Sequence, residues 1–98
     1  MALTMSAEQI AMGHFLWSNF TRPISAADVL RASGLARAQA HACFHEAHGE
    51  PPKRALTRCR LALAERLSAE GLQDAEIAAR SGFASAACLR RVRKAWRA

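Results

Sequence analysis

Tyrosine is absent from this chain of 98 residues, aromatic side chains make up 6% of it, and it holds only 3 prolines. No segment alternates apolar and polar residues with the two-residue period of a half-buried strand, which leaves no candidate for a sheet. The three cysteines, Cys43, Cys59 and Cys88, are odd in number and none lies in a CxxC pair, so neither a disulfide framework nor a zinc knuckle is suggested. No apolar run approaches the length of a membrane span, and "MALTMSAEQI" lacks the basic-then-apolar plan of a secretory signal. A cytoplasmic protein is expected. A Ser/His/acid set, a phosphate-cradling glycine loop and paired carboxylates are all missing, so neither catalysis nor a cofactor is expected.

What is present is helical and basic. Hydrophobic residues make up 51% of the chain, enough for one modest core, and the length leaves little room for a second full domain. Lys and Arg number 14 against 8 Asp and Glu, a net charge of +6 that favours polyanionic partners. Alanine and leucine at helical spacing predict an all-α fold.

The punctuation divides the chain into helices. Ser6 is a candidate N-cap for a first helix that runs through Ile10, Phe15 and Leu16 to about Ser18, where "NFTRP" supplies the stop. Ser25 starts a very short second helix with Asp28 as capping-box partner, ending at Ser33 and Gly34. A third carries Ala40, Cys43, Phe44 and Ala47 on one face until Gly49 and the prolines 51 and 52 break it. The longest runs from about Pro52 to Glu70, closed by Gly71, with Leu56, Leu63 and Leu67 inward; at 1.5 Å per residue it is about 27 Å long. Asp74 is expected to cap a short helix holding Ile77 and Ala78, and Ser85 to start the last one toward Trp96.

The letters repeat. "DVLRASGL" at 28–35 matches "EIAARSGF" at 76–83 in its acid, aliphatic, Ser, Gly and final apolar positions. A short helix, a glycine turn and an amphipathic helix form a helix-turn-helix, whose second helix reads a major groove. Two copies imply two reading heads, and the long middle helix is comparable to the roughly 34 Å between successive grooves.

At this point the chain resembles the DNA-binding domain of AraC/XylS family transcription regulators. "FLWSNFTRPIS", "HGEPPKRALTRCRLALAERL" and "DAEIAARSGFAS" follow the family pattern in order. The resemblance implies a seven-helix, homeodomain-like domain over 6–98. Its first lobe would cover about 6–49, a linking helix about 52–70, and a second lobe about 74–98, truncated before the family's usual Gly and Pro ending. It implies double-stranded DNA as partner in a bacterial, nucleoid-associated setting, with RNA polymerase recruited, no membrane, and no small-molecule effector bound by this chain. Carried over residue by residue, the first head presents Ala38, His41, Ala42 and His45 to the groove, with Arg37 and Gln39 near phosphates. The second presents Ser85, Ala86, Ala87, Arg90, Arg91 and Lys94, where arginine reaches guanine O6 and N7 or a phosphate. Three positions depart from the family: Ala40 replaces a larger aliphatic residue, Ala55 an aromatic, and Arg93 a core Phe.

Other readings stand beside this one. His41 and His45 with Cys43 or His48 form a candidate metal set, although their separations match no established zinc pattern. "RRVRKAWRA" has the composition of a membrane-surface helix anchored by Trp96. The alanine-rich first head also suits a helical protein-interaction module, or a histidine-containing metal-responsive domain, that has lost base readout.

Overall fold

The computed structural model describes residues 4–97. Residues 1–3 of the N-terminal segment that lacks the plan of a secretory signal, and Ala98 at the end of the expected second lobe, lie outside the described residues. Six helices are present among the described residues: α1 (Ala7–Asn19), α2 (Ala26–Arg31), α3 (Arg37–His48), α4 (Pro52–Ala69), α5 (Asp74–Ser81) and α6 (Ala86–Arg97). No strand occurs among them, and the fold is all-α. The resemblance implied seven helices.

The chain divides into two compact units, one of residues up to Asn19 with Ile24–Leu56, the other of Phe20–Pro23 with Thr57 onward. The division falls inside α4, whose first residues serve one unit and whose remainder serves the other.

In the first unit α1, α2 and α3 pack on one another. Their buried apolar residues are Met12, Leu16, Val29, Leu30, Ala40 and Phe44, with Ala55 and Leu56 buried at the start of α4. Ser6 caps α1 as expected, and the cap is reciprocal: Gln9 donates its backbone N–H to Ser6 Oγ (3.1 Å) and accepts from Ser6 N–H at Oε1 (2.9 Å). Gln9 Nε2 then donates to the Cys43 carbonyl on α3 at 3.0 Å. Turning this buried, satisfied amide inward puts Met12 and Leu16 on the core face and leaves Ile10 56% exposed. Asn19 ends α1, its Nδ2 donating to the Phe15 carbonyl at 2.9 Å.

The expected Ser25–Asp28 capping box forms at the N-terminus of α2, each residue's backbone N–H donating to the other's side chain. The helix itself ends at Arg31, before Ser33 and Gly34. Ser33 Oγ donates to the Leu30 carbonyl (2.7 Å) and accepts from Leu35 N–H (3.0 Å), so this serine builds the turn. Gly49, at φ 72°, closes α3 in the left-handed conformation that glycine adopts without steric cost.

The second unit is built on Leu61, Ala64, Leu67, Ile77, Ala78 and Leu89, with Leu63, Leu72, Phe83, Val92 and Trp96 packed at its margin. Arg58 lies over the Trp96 ring, 5.3 Å from its centroid. Trp96 is therefore a packing residue of the second core, which removes the anchor from the membrane-surface reading. Among the described residues no helix is long and apolar enough to cross a membrane.

The segment Phe20–Pro23 is fixed from within this unit by Arg60. Its Nε donates to the Phe20 carbonyl at 2.7 Å and its Nη2 to the Arg22 carbonyl at 2.9 Å. Burial lowers the Arg60 pKa from its ordinary range, and the two carbonyls compensate the desolvated guanidinium.

Candidate nucleic-acid interface

Each unit contains a short helix, a glycine turn and a twelve-residue helix: α2, 32–36, α3 in the first and α5, 82–85, α6 in the second. Glycine stands in the left-handed conformation in both turns, Gly34 at φ 75° and Gly82 at φ 94°. The first turn is one residue longer, so the two long helices correspond when each is counted from its own first residue.

Counted that way, the fourth residues, Ala40 and Leu89, are both fully buried. The second, fifth, sixth and ninth residues are exposed in both helices: Ala38, His41, Ala42 and His45 on α3, and Ala87, Arg90, Arg91 and Lys94 on α6. One exposed face per unit results, and it carries most of the residues expected to meet DNA. Arg37 and Gln39 are also exposed, while Ala86 is half-buried. Ser85 is the cap of α6, its Oγ accepting from Cys88 N–H at 3.1 Å, so its first role is to start the helix.

The two faces differ in charge. Arg90, Arg91 and Lys94 on α6 stand where α3 has His41, Ala42 and His45. Arg91 Nη2 lies 3.7 Å from Cys88 Sγ one turn back.

The eighth residues show the largest contrast. Phe44 on α3 is buried and packs against the half-buried ring of His48, centroids 4.3 Å apart. Among the described residues no three His, Cys, Asp or Glu side chains form a group that would hold a metal ion. On α6 the eighth residue is Arg93, whose side chain is only 16% exposed and lies 3.2 Å from Glu65 and 3.6 Å from Asp74.

Asp74 also faces Arg90, at 3.4 Å. This corrects its expected capping role: Gln73 is the N-cap of α5 and makes no side-chain cap bond, while Asp74 is the first helical residue. Its carboxylate is drawn to the two arginines of α6. Gln9, Arg60, Asp74 and Arg93 thus hold positions that helical periodicity does not mark, because each is a polar residue that meets a partner far along the chain.

A short helix, a glycine turn and a longer helix with an exposed, basic face are the parts of a DNA-binding class of protein, the helix-turn-helix proteins. The family profile described as a helix-turn-helix domain matches residues 29–97, and the chain belongs to that family, the AraC-type helix-turn-helix domains of DNA-binding transcription regulators. No curated protein and no solved structure matches the chain.

Proposed function

We propose that this protein binds double-stranded DNA sequence-specifically and regulates bacterial transcription, with α3 and α6 entering successive major grooves. The observation that carries the proposal is the pair of equivalent exposed faces, one on the second helix of each helix-turn-helix. Phosphates neutralised by Arg37, Arg91 and Lys94 supply affinity, and base edges met by Arg90, His41 and His45 supply choice of site. The remaining exposed positions, Ala38, Ala42 and Ala87, admit close approach or touch thymine methyl groups. Gln39 and Ser85 belong to the phosphate-facing margin of each surface, and Ala86 backs the second.

In this proposal α4, eighteen residues and about 27 Å long at 1.5 Å per residue, is the helix that links the two heads. Recruitment of RNA polymerase from a cytoplasmic, nucleoid-associated position completes the proposal, with no catalytic step and no membrane partner.

The test is fluorescence anisotropy of a random duplex of about two helical turns, titrated at several salt concentrations with zinc or with chelator. The expected result is log K falling with log salt by about 0.9 for each phosphate neutralised, indifferent to zinc. A flat slope overturns DNA binding in favour of a protein-interaction module, which the exposed Ile10 (56%) and Trp17 (67%) on α1 would suit. Binding that requires zinc overturns it in favour of a metal-responsive domain.

A further inference from the structure

Resting on the DNA-reading proposal, we propose that Asp74 is a positioning residue that sets specificity, holding Arg90 toward base edges and away from phosphates. Four charged side chains lie in series across three helices: Glu65 on α4, Arg93 and Arg90 on α6, and Asp74 on α5 between the two arginines. The separations are 3.2 Å from Glu65 to Arg93, 3.6 Å from Arg93 to Asp74 and 3.4 Å from Asp74 to Arg90. Arg97 closes on the outer oxygen of Glu65 at 3.8 Å.

The series has an inner and an outer end. Arg93 is largely buried and clamped between two carboxylates, so it fixes Asp74 from behind. Arg90 is 59% exposed at its side chain and is the terminal, solvent-facing member. An unrestrained arginine on a groove-facing helix pairs with whichever phosphate is nearest, a contact that carries no sequence information. A carboxylate against one edge of the guanidinium restricts its rotamers and leaves the other donors to reach a base, where guanine O6 and N7 accept bidentately.

Asp74 also acts through its own charge. If Arg90 leaves it for a phosphate, the carboxylate faces the polyanion with one partner fewer. That repulsion weakens binding to duplexes on which Arg90 finds no guanine, which is specificity by penalty on the wrong partner. The first unit has no such series: its fifth residue is His41, and Phe44 stands in the place of Arg93.

The experiment compares the whole protein with Asp74→Asn, Arg90→Ala and the double variant. Each is titrated against the duplex that wild type selects from a random pool and against a random duplex. In Asp74→Asn, random-duplex binding is expected to tighten and discrimination to fall by roughly tenfold, the scale of one bidentate base contact. In the Arg90→Ala background the same change is expected to leave discrimination where it is, because the effect passes through that guanidinium. In the free protein, the side-chain Nε–H resonance of Arg90 is expected to lose its order in Asp74→Asn.

Equal changes on both duplexes, or the same loss of discrimination with and without Arg90, overturn the inference and leave the DNA-reading proposal standing. A wild type that selects no duplex overturns both.

Discussion

At the residue scale, the eighth position of the two long helices isolates one substitution. Phe44 fills its site with apolar area, whereas Arg93 fills the corresponding site with a guanidinium held by Glu65 and Asp74. Its Nη2 is buried without a hydrogen-bond partner, so the cluster is not fully satisfied. Moving an incompletely paired charge out of water offsets much of what its ion pairs contribute. Arg93→Met retains the aliphatic volume and frees two carboxylates that are already 52% and 36% exposed. Its stability is expected to equal or exceed that of wild type by about 1 kcal/mol, whereas Arg93→Ala, which also empties the space, is expected to lose about 2 kcal/mol. Urea midpoints at unchanged m-value are the check. Phe44→Ala, by contrast, is expected to lose about 3 to 5 kcal/mol by cavity formation alone.

At the scale of elements, two turns that look alike in letters carry different constraints. Gly34 has open space around its missing side chain, and its φ of 75° alone opposes replacement. A methyl group on Gly82 would meet the Phe20 carbonyl oxygen at 2.6 Å, Arg60 Nε at 2.9 Å and Thr21 Cα at 3.1 Å, in addition to a φ of 94°. Gly34→Ala is expected to cost about 1 kcal/mol, and Gly82→Ala about 3 kcal/mol or more because backbone must move and the Arg60 bonds loosen. Thermal unfolding of the two variants side by side measures the difference. The capping box of α2 adds a pH dependence. The Ser25 backbone N–H holds the Asp28 carboxyl below its ordinary range, followed by the Ser25 hydroxyl and the adjacent Arg31. A lowered carboxyl stabilises the fold above the ordinary range, and the contribution is lost as pH falls through the lowered value. Acid titration followed by amide exchange in α2 is expected to show that loss, and Asp28→Asn to abolish it.

The same elements show what the sequence made legible. Caps at Ser6, Ser25 and Ser85, glycine stops at Gly49 and Gly82, and the repeat of helix, turn and helix are local signals, and local signals survive in letters. After the matched letters one residue precedes α3 and two precede α6, so the letter match alone would pair His41 with Leu89, and the helix starts are needed to pair His41 with Arg90 and Phe44 with Arg93. Asp74 was misread for a related reason. An acid at a helix start satisfies the capping pattern, but its partners are arginines sixteen and nineteen residues downstream. The inward face of α1 is oriented by the polar Gln9, which apolar periodicity ignores, so Met12 and Leu16 are buried while Ile10 is exposed.

At the scale of the whole molecule, the net charge of +6 is unevenly available. Arg31, Arg54, Arg66 and Arg80 each pair with a carboxylate on or beside their own helix. Among the described residues, Arg37, Arg91 and Lys94 have no carboxylate partner, and two of these three lie on the α6 face. Binding governed by released counterions should therefore depend more on the second unit than on the first. Replacing Arg91 and Lys94 together by Ala is expected to lower the salt slope by about 1.8, and Arg37→Ala by about 0.9. The converse change tests whether α3 is a reading surface that merely lacks charge. His41→Arg with His45→Lys places the α6 side chains at the equivalent positions of α3, both exposed, without disturbing Ala40 or Phe44 beneath them. If α3 lies against DNA, the double variant steepens the slope by up to about 1.8 and tightens random-duplex binding at low salt. An unchanged slope in a folded variant would remove α3 from the interface and leave α6 as the single reading helix.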